Sequence, residues 1–131
     1  MRAAIALVTL PLLAAPAPVY AEDARFMLCE ALPHLTCVWS GDSFYLRGRI
    51  VRLADVVSPE RYTGECPKAS QLSWRSALRL RDLLNAGTFE VADPDGAGLA
   101  MVSRNGQSLG EQMIAEGLAR ARVPGPTSWC E

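Results

Sequence analysis

Three side chains in the stretch SGDSFYLRGRIVRLADVVSPE, residues 40–60, could do chemistry together. Asp42 sits in a Ser-Gly-Asp turn, Arg52 sits ten residues on in a β-branched run, and Glu60 follows Ser58-Pro59. A turn carboxylate can hold a hard cation. A guanidinium can take charge from a phosphate, and a second carboxylate can position or deprotonate water. Those are the parts that phosphodiester hydrolysis needs. Taken alone, the same residues also describe a turn aspartate, a surface-paired arginine and a loop glutamate.

The elements that must position them can be read from the pattern. Thr36 to Trp39, Phe44 to Leu46 and Ile50 to Val56 are short runs of β-branched and aromatic residues separated by Ser40-Gly41-Asp42 and Arg47-Gly48, which predicts a three-stranded meander. In the third run Ile50, Arg52, Ala54 and Val56 should share one face, with Val51, Leu53, Asp55 and Val57 on the other. Pro67 suits a first helical turn, and Ala69, Leu72, Ser76, Ala77, Leu80, Leu83 and Leu84 form one helical stripe. Asn85-Ala86-Gly87 then stops that helix. Thr88 to Val91 and Leu99 to Val102 read as two further strands. Ser108 with Glu111 matches a capping box that opens a second helix expected to reach about Arg120, with Gly110 and Gly117 on its buried side. The order β-β-β-α-β-β-α suits an α+β fold, a five-stranded OB-type β-barrel with packed helices.

The N-terminus has the layout of a secretory leader. Arg2 precedes an apolar run from Ala3 to Ala15, and Val19-Tyr20-Ala21 supplies small residues where a signal peptidase reads. Pro11, Pro16 and Pro18 interrupt the run, which is too short to span a bilayer. Residues 1–21 are therefore expected to be a signal peptide and 22–131 a single domain, exported to the periplasm or medium, with no stable membrane insertion. The chain carries 13 Lys and Arg against 14 Asp and Glu, and the leader contains only Arg2 of these. So balanced a charge gives no long-range pull on nucleic acid, and any polyanion must be held by a few local cations. Cys29, Cys37, Cys66 and Cys130 form an even set, expected to be disulfide-bonded in an exported domain. Three pairings are open, of which Cys29 with Cys37 and Cys66 with Cys130 is favoured. His34 lies between Cys29 and Cys37, but the cysteines lack the tight spacing of zinc knuckles.

In these motifs the chain resembles the staphylococcal nuclease (thermonuclease) family. The resemblance runs through residues 40–60, the CPKASQLSWRSALRLRDLLNAG helix, DPDGAGLAMVSRNGQSLG and EQMIAEGLARARVPGPTSWC, and is nearest to the exported bacterial branch with a terminal Trp-Cys. It implies an OB barrel and calcium-dependent cleavage of DNA and RNA. Asp42 matches the turn aspartate that binds calcium, Arg52 the strand arginine on the phosphate, and Glu60 the glutamate that activates water. Ser58 matches a residue placed next to the metal through its carbonyl. Two departures stand out. Val57 occupies the position of the second calcium-binding aspartate, and Ala97 that of the second catalytic arginine. Ser40 replaces another turn carboxylate.

A calcium site wants six to eight oxygens, several of them charged. Losing one preorganised donor to a developing charge typically costs about 10²–10³ in rate. The expectation is a weak or absent calcium ion and an impaired or inactive nuclease that acts as a binding module, with single-stranded DNA or RNA or an unknown protein as partner. An active nuclease with an altered metal site, using Asp55 or Asp95, and a structural envelope domain are the alternatives. Trp39, Phe44 and Tyr45 read as core or rim, and Trp74 and Trp129 as packing residues. His34 reads as a loop histidine, and Arg75, Arg79, Arg81, Arg120 and Arg122 as solvated helix faces.

Overall fold

The turn at residues 40–43 and the glycine-containing turn at 47–48 fold the chain back twice in ten residues. They align β3 (Cys37–Ser40), β4 (Ser43–Leu46) and β5 (Arg49–Leu53) as an antiparallel meander. The computed structural model describes residues 8, 10–13, 19–62 and 64–131. The expected leader lies for the most part outside the described residues, although Val19–Glu22 forms β1. Among the described residues no helix is long and apolar enough to cross a membrane.

The fold is α+β. The remaining elements are β2 (Met27–Leu28), β6 (Val56–Val57), α1 (Pro67–Asn85), β7 (Phe89–Ala92), β8 (Leu99–Arg104), β9 (Gln107–Ser108), α2 (Leu109–Ala115) and β10 (Arg120–Ala121). The main sheet runs β1-β7-β8-β5-β4-β3-β2, with β9 on β8 and a separate β6–β10 pair. β5–β8 and β2–β3 are parallel and the other pairs antiparallel. The ladder is open among the described residues: β7 bonds β1 and β8 rather than β3.

The chain's three phenylalanines form the centre of the core. Phe26, Phe44 and Phe89 lie with ring centroids 5.5 to 6.1 Å apart, beneath Leu80 and Leu84 of α1 and Met113 of α2. Asn85 was expected only to stop α1. Its side chain also clamps the Phe26 segment, with Oδ1 accepting from Phe26 N–H (2.8 Å) and Nδ2 donating to Phe26 C=O (2.9 Å).

Three expectations are corrected. The run Ile50 to Val56 is two strands. At Asp55 the chain turns away from β8, and Arg122 holds the bend by donating from Nη2 to the carbonyls of Leu53 and Val56 and from its backbone N–H to that of Asp55. Val56 is buried as a result, although alternation had put it with exposed Arg52. The second helix stops at Ala115 and not near Arg120. Gly117 takes φ +72°, Leu118 N–H reaches Met113 C=O and Gly117 N–H reaches Ile114 C=O, the paired bonds of a left-handed helix stop. Gly117 is thus an exposed terminator. Gly110 does pack closely, since a Cβ there would stand 2.4 Å from Asp55 Oδ1. The capping box holds: Glu111 N–H donates to Ser108 Oγ at 3.1 Å.

The disulfides are Cys29–Cys37 and Cys66–Cys130, separated by 8 and 64 residues, and no described cysteine is free. The second joins the cap of α1 to the chain end. By loop closure the two are worth about 2.5 and about 4 kcal/mol respectively. Replacing Cys66 and Cys130 by serine should therefore lower the unfolding free energy more than replacing Cys29 and Cys37, as measured by urea denaturation. The opposite order would show that loop closure is not what these bonds supply.

Candidate functional site

The Asp42 turn is fixed from four sides. Ser40 Oγ donates to Asp42 Oδ1 at 2.5 Å and shares a 2.6 Å hydrogen bond with Ser43 Oγ. Asp42 Oδ2 accepts from Ser58 N–H at 3.3 Å, and Asp42 C=O accepts from Leu53 N–H at 2.8 Å. Gly41 is pressed against α1 and the 57–60 segment: a Cβ there would lie 2.4 Å from Ser76 Cβ and 2.9 Å from Ser58 Oγ. A side chain at this position would have no room. Both carboxylate oxygens of Asp42 therefore serve the joint between the meander, the segment after β6 and the helix.

Arg52 pairs in register with Ser43, one residue from Asp42, and its backbone N–H donates to Gly98 C=O at 2.6 Å. That bond brings the 93–98 turn, including exposed Ala97, beside Arg52. Val57 is half-buried and immediately precedes Ser58, whose N–H binds Asp42. The structure thus gathers Asp42, Arg52, Val57 and Ala97 into one corner. Glu60 is exposed two residues beyond Ser58. Among the described residues no ion pair joins Asp42, Arg52 or Glu60.

Neither alternative carboxylate supplements the corner. Asp55 Oδ2 accepts from the Ser108 hydroxyl at the start of α2, and Oδ1 is buried without a partner against Gly110. Asp95 lines a cleft of about 500 Å³ with Arg47, Arg49 and Glu22, whose walls include none of Asp42, Arg52 and Glu60. Bidentate hydrogen bonds that Arg47 donates to the Glu22 carboxylate, and then the carboxylate's charge, raise the Arg47 guanidinium above its ordinary value. No group of three or more His, Cys, Asp or Glu side chains placed to share a metal ion occurs among the described residues.

Arg61 went unread in the sequence. It is 3% exposed, and its Nε donates to Trp39 C=O and its Nη2 to Cys29 C=O. The guanidinium lies 5.1 to 5.4 Å from the ring centroids of Trp39, Tyr62 and Trp74. Nη1 is buried with no partner. No spacing signals this cage, because its rings come from β3, a loop and α1.

Other residues divide between the two earlier readings. Phe44 is core, while Trp39 and Tyr45 are half-buried rim residues with His34 between them, its ring centroid 5.5 and 5.1 Å from theirs. Trp129 is a packing residue, but Trp74 keeps 41% of its surface exposed. Arg79 pairs with Glu116 and Arg81 with Asp82, whereas Arg120 and Arg122 lie off the helices. No protein-family model matches the chain, and no curated protein sequence matches it significantly.

If Asp42 is a structural acceptor, Asp42→Ala should destabilise the domain by about 1–3 kcal/mol, the range for leaving buried donors unmet. Urea unfolding measures this. A variant as stable as the parent would mean that the carboxylate is free for another task.

Proposed function

We propose that this chain is a thermonuclease-like domain on an OB-type scaffold that has lost efficient cleavage and works as a binding module for single-stranded nucleic acid. The observation that carries the loss of cleavage is the commitment of both Asp42 oxygens to Ser40 and Ser58, beside Val57 and Ala97. One hydrogen-bonded carboxylate does not fit a resident calcium ion, which takes six to eight oxygens. In this reading Arg52 would contact a phosphate and Glu60 would serve as base, both being exposed. A partly open five-stranded Greek-key barrel is the OB pattern. The order β7-β8-β5-β4-β3 around a helix that joins β6 to β7 supports that scaffold.

Two measurements test the reading. Calcium titrated calorimetrically into the protein should show no saturation at micromolar concentrations, and a tight one-to-one isotherm would overturn the incomplete-site account. Single-stranded DNA should survive incubation with protein and calcium, and brisk calcium-dependent cleavage would put an active nuclease in its place. The corner can also be rebuilt. Val57→Asp adds a carboxylate next to the Ser58–Asp42 bond, and Ala97→Arg adds a guanidinium beside Arg52. Each alone should do little, because parts acting on one transition state are non-additive. Together they should raise hydrolysis at least ~10²-fold, and Glu60→Ala should remove most of that gain. A folded but inert double variant would mean that the remaining residues no longer hold a usable geometry.

A further inference from the structure

A second cleft, of about 420 Å³, separates the first half of α1 from the chain after α2. Its walls include Lys68, Gln71, Arg75, Arg120 and Trp129, and no carboxylate side chain among the described residues. Lys68 Nζ donates to Glu131 O, and Arg120 donates to Ser128 C=O while lying 4.5 Å over the Trp129 ring. Both cations are therefore held in place. Arg75 takes part in none of the ion pairs among the described residues. The first turn of α1 carries no acidic residue, so the positive end of the helix dipole adds to this field.

The same helix presents an aromatic platform next to the cations. Lys68, Gln71, Trp74 and Arg75 are exposed on α1, with Gln71 three residues after Lys68 and Trp74 and Arg75 three and four residues after Gln71. Trp74 meets Tyr62 edge to face at 5.8 Å. Tyr62 is 70% exposed and held at φ +67°, a conformation uncommon for a bulky residue. Beneath both rings, Arg61 fixes them from below while bonded to the carbonyls of Trp39 and Cys29. Rings that are rigid and exposed before a ligand arrives lose little freedom on stacking.

We propose that this stripe, and not the Asp42 corner, is where a single strand binds. A base stacks on the Trp74–Tyr62 platform, and neighbouring backbone phosphates lie against Lys68, Arg75 and Arg120. Rings beside a groove lined by cations are the general chemistry of sequence-tolerant single-strand binding. A duplex keeps its bases stacked inside and would use only the cations. An acidic protein surface would likewise leave the rings unused. The inference rests on the binding reading given above, and the test separates the two.

The experiment measures anisotropy of a fluorescein-labelled oligothymidine of about 15 nucleotides with the purified, disulfide-intact protein across a potassium chloride series. Binding should weaken with salt, with a log–log slope of about −0.7 per phosphate neutralised. Lys68→Gln and Arg75→Gln should each make that slope shallower by about one phosphate's worth. Trp74→Ala should weaken binding at least about fivefold with little change in slope. Arg81→Gln, which removes a cation already paired with Asp82, should match the parent. Circular dichroism confirms folding, and the two glutamine variants alter exposed side chains, so the test survives any loss of stability in Trp74→Ala. If the parent binds and the Lys68, Arg75 and Trp74 variants match it, the strand lies elsewhere and this inference is wrong while the binding reading stands. Equal affinity for duplex DNA or for polyglutamate, with no effect of Trp74→Ala, would leave a plain cationic surface and overturn it. No binding by the parent at low salt would sink both.

Discussion

The joint that the rest of the structure depends on is the Asp42 carboxylate and the turn that carries it. Through it the β3–β4 turn meets Ser58, the end of β5 and, at Gly41, the body of α1. Donors as enclosed as Ser58 N–H must find acceptors inside the protein, because water cannot reach them in the folded state. A carboxylate is the strongest acceptor available for the purpose, and a turn is where a short side chain can reach back to it. The residue type that makes the turn attractive for chemistry is also the one the fold needs to close. The same conflict recurs at Asp55, where the carboxylate organises the start of α2 and leaves no room for a Cβ at Gly110.

The corner beside that joint is held together by backbone bonds more than by charge. Arg52 is brought to the 93–98 turn by a backbone bond to Gly98, and Val57 is brought to Asp42 by the Ser58 bond. Val57 and Ala97, which flank these two bonds, bring no charge to the corner. Cations are gathered instead along α1 and around Trp129, where they are steadied by carbonyls and an aromatic ring. With a near-neutral chain, such local concentration is the only electrostatic means of holding a polyanion.

Much of this organisation is legible in the sequence where the signals are local. The meander follows from β-branched runs cut by turn residues, α1 from Pro67 and its apolar stripe, and the opening of α2 from Ser108 and Glu111. The even cysteine count points to disulfides but leaves three pairings open, and the fold selects Cys29–Cys37 and Cys66–Cys130. What the sequence hides is set by distant partners. β1, β2, β6, β9 and β10 are two to four residues long, and strands so short exist only because a neighbour offers a ladder. The bend at Asp55 depends on Arg122, more than sixty residues away. Gly117 fits a helical pattern and a helix stop equally well until its φ is known. Of the candidate corner, the placement of Asp42 in a turn and of Arg52 on the third strand of the meander was legible. The engagement of Asp42 was not, because it depends on a backbone N–H sixteen residues away. Arg61 was hidden for the same reason, its three rings being scattered along the chain.

The central claim is that Asp42 belongs to the fold and not to a metal. Carbon-13 NMR of the Asp42 carboxylate, with the Ser58 amide proton followed in parallel during a calcium titration at constant ionic strength, addresses it directly. The account predicts that neither resonance moves in a saturable way, because the carboxylate stays with Ser40 and Ser58. A saturable shift of the Asp42 carboxylate, with the Ser58 amide losing its hydrogen-bonded position at the same calcium concentration, would contradict it.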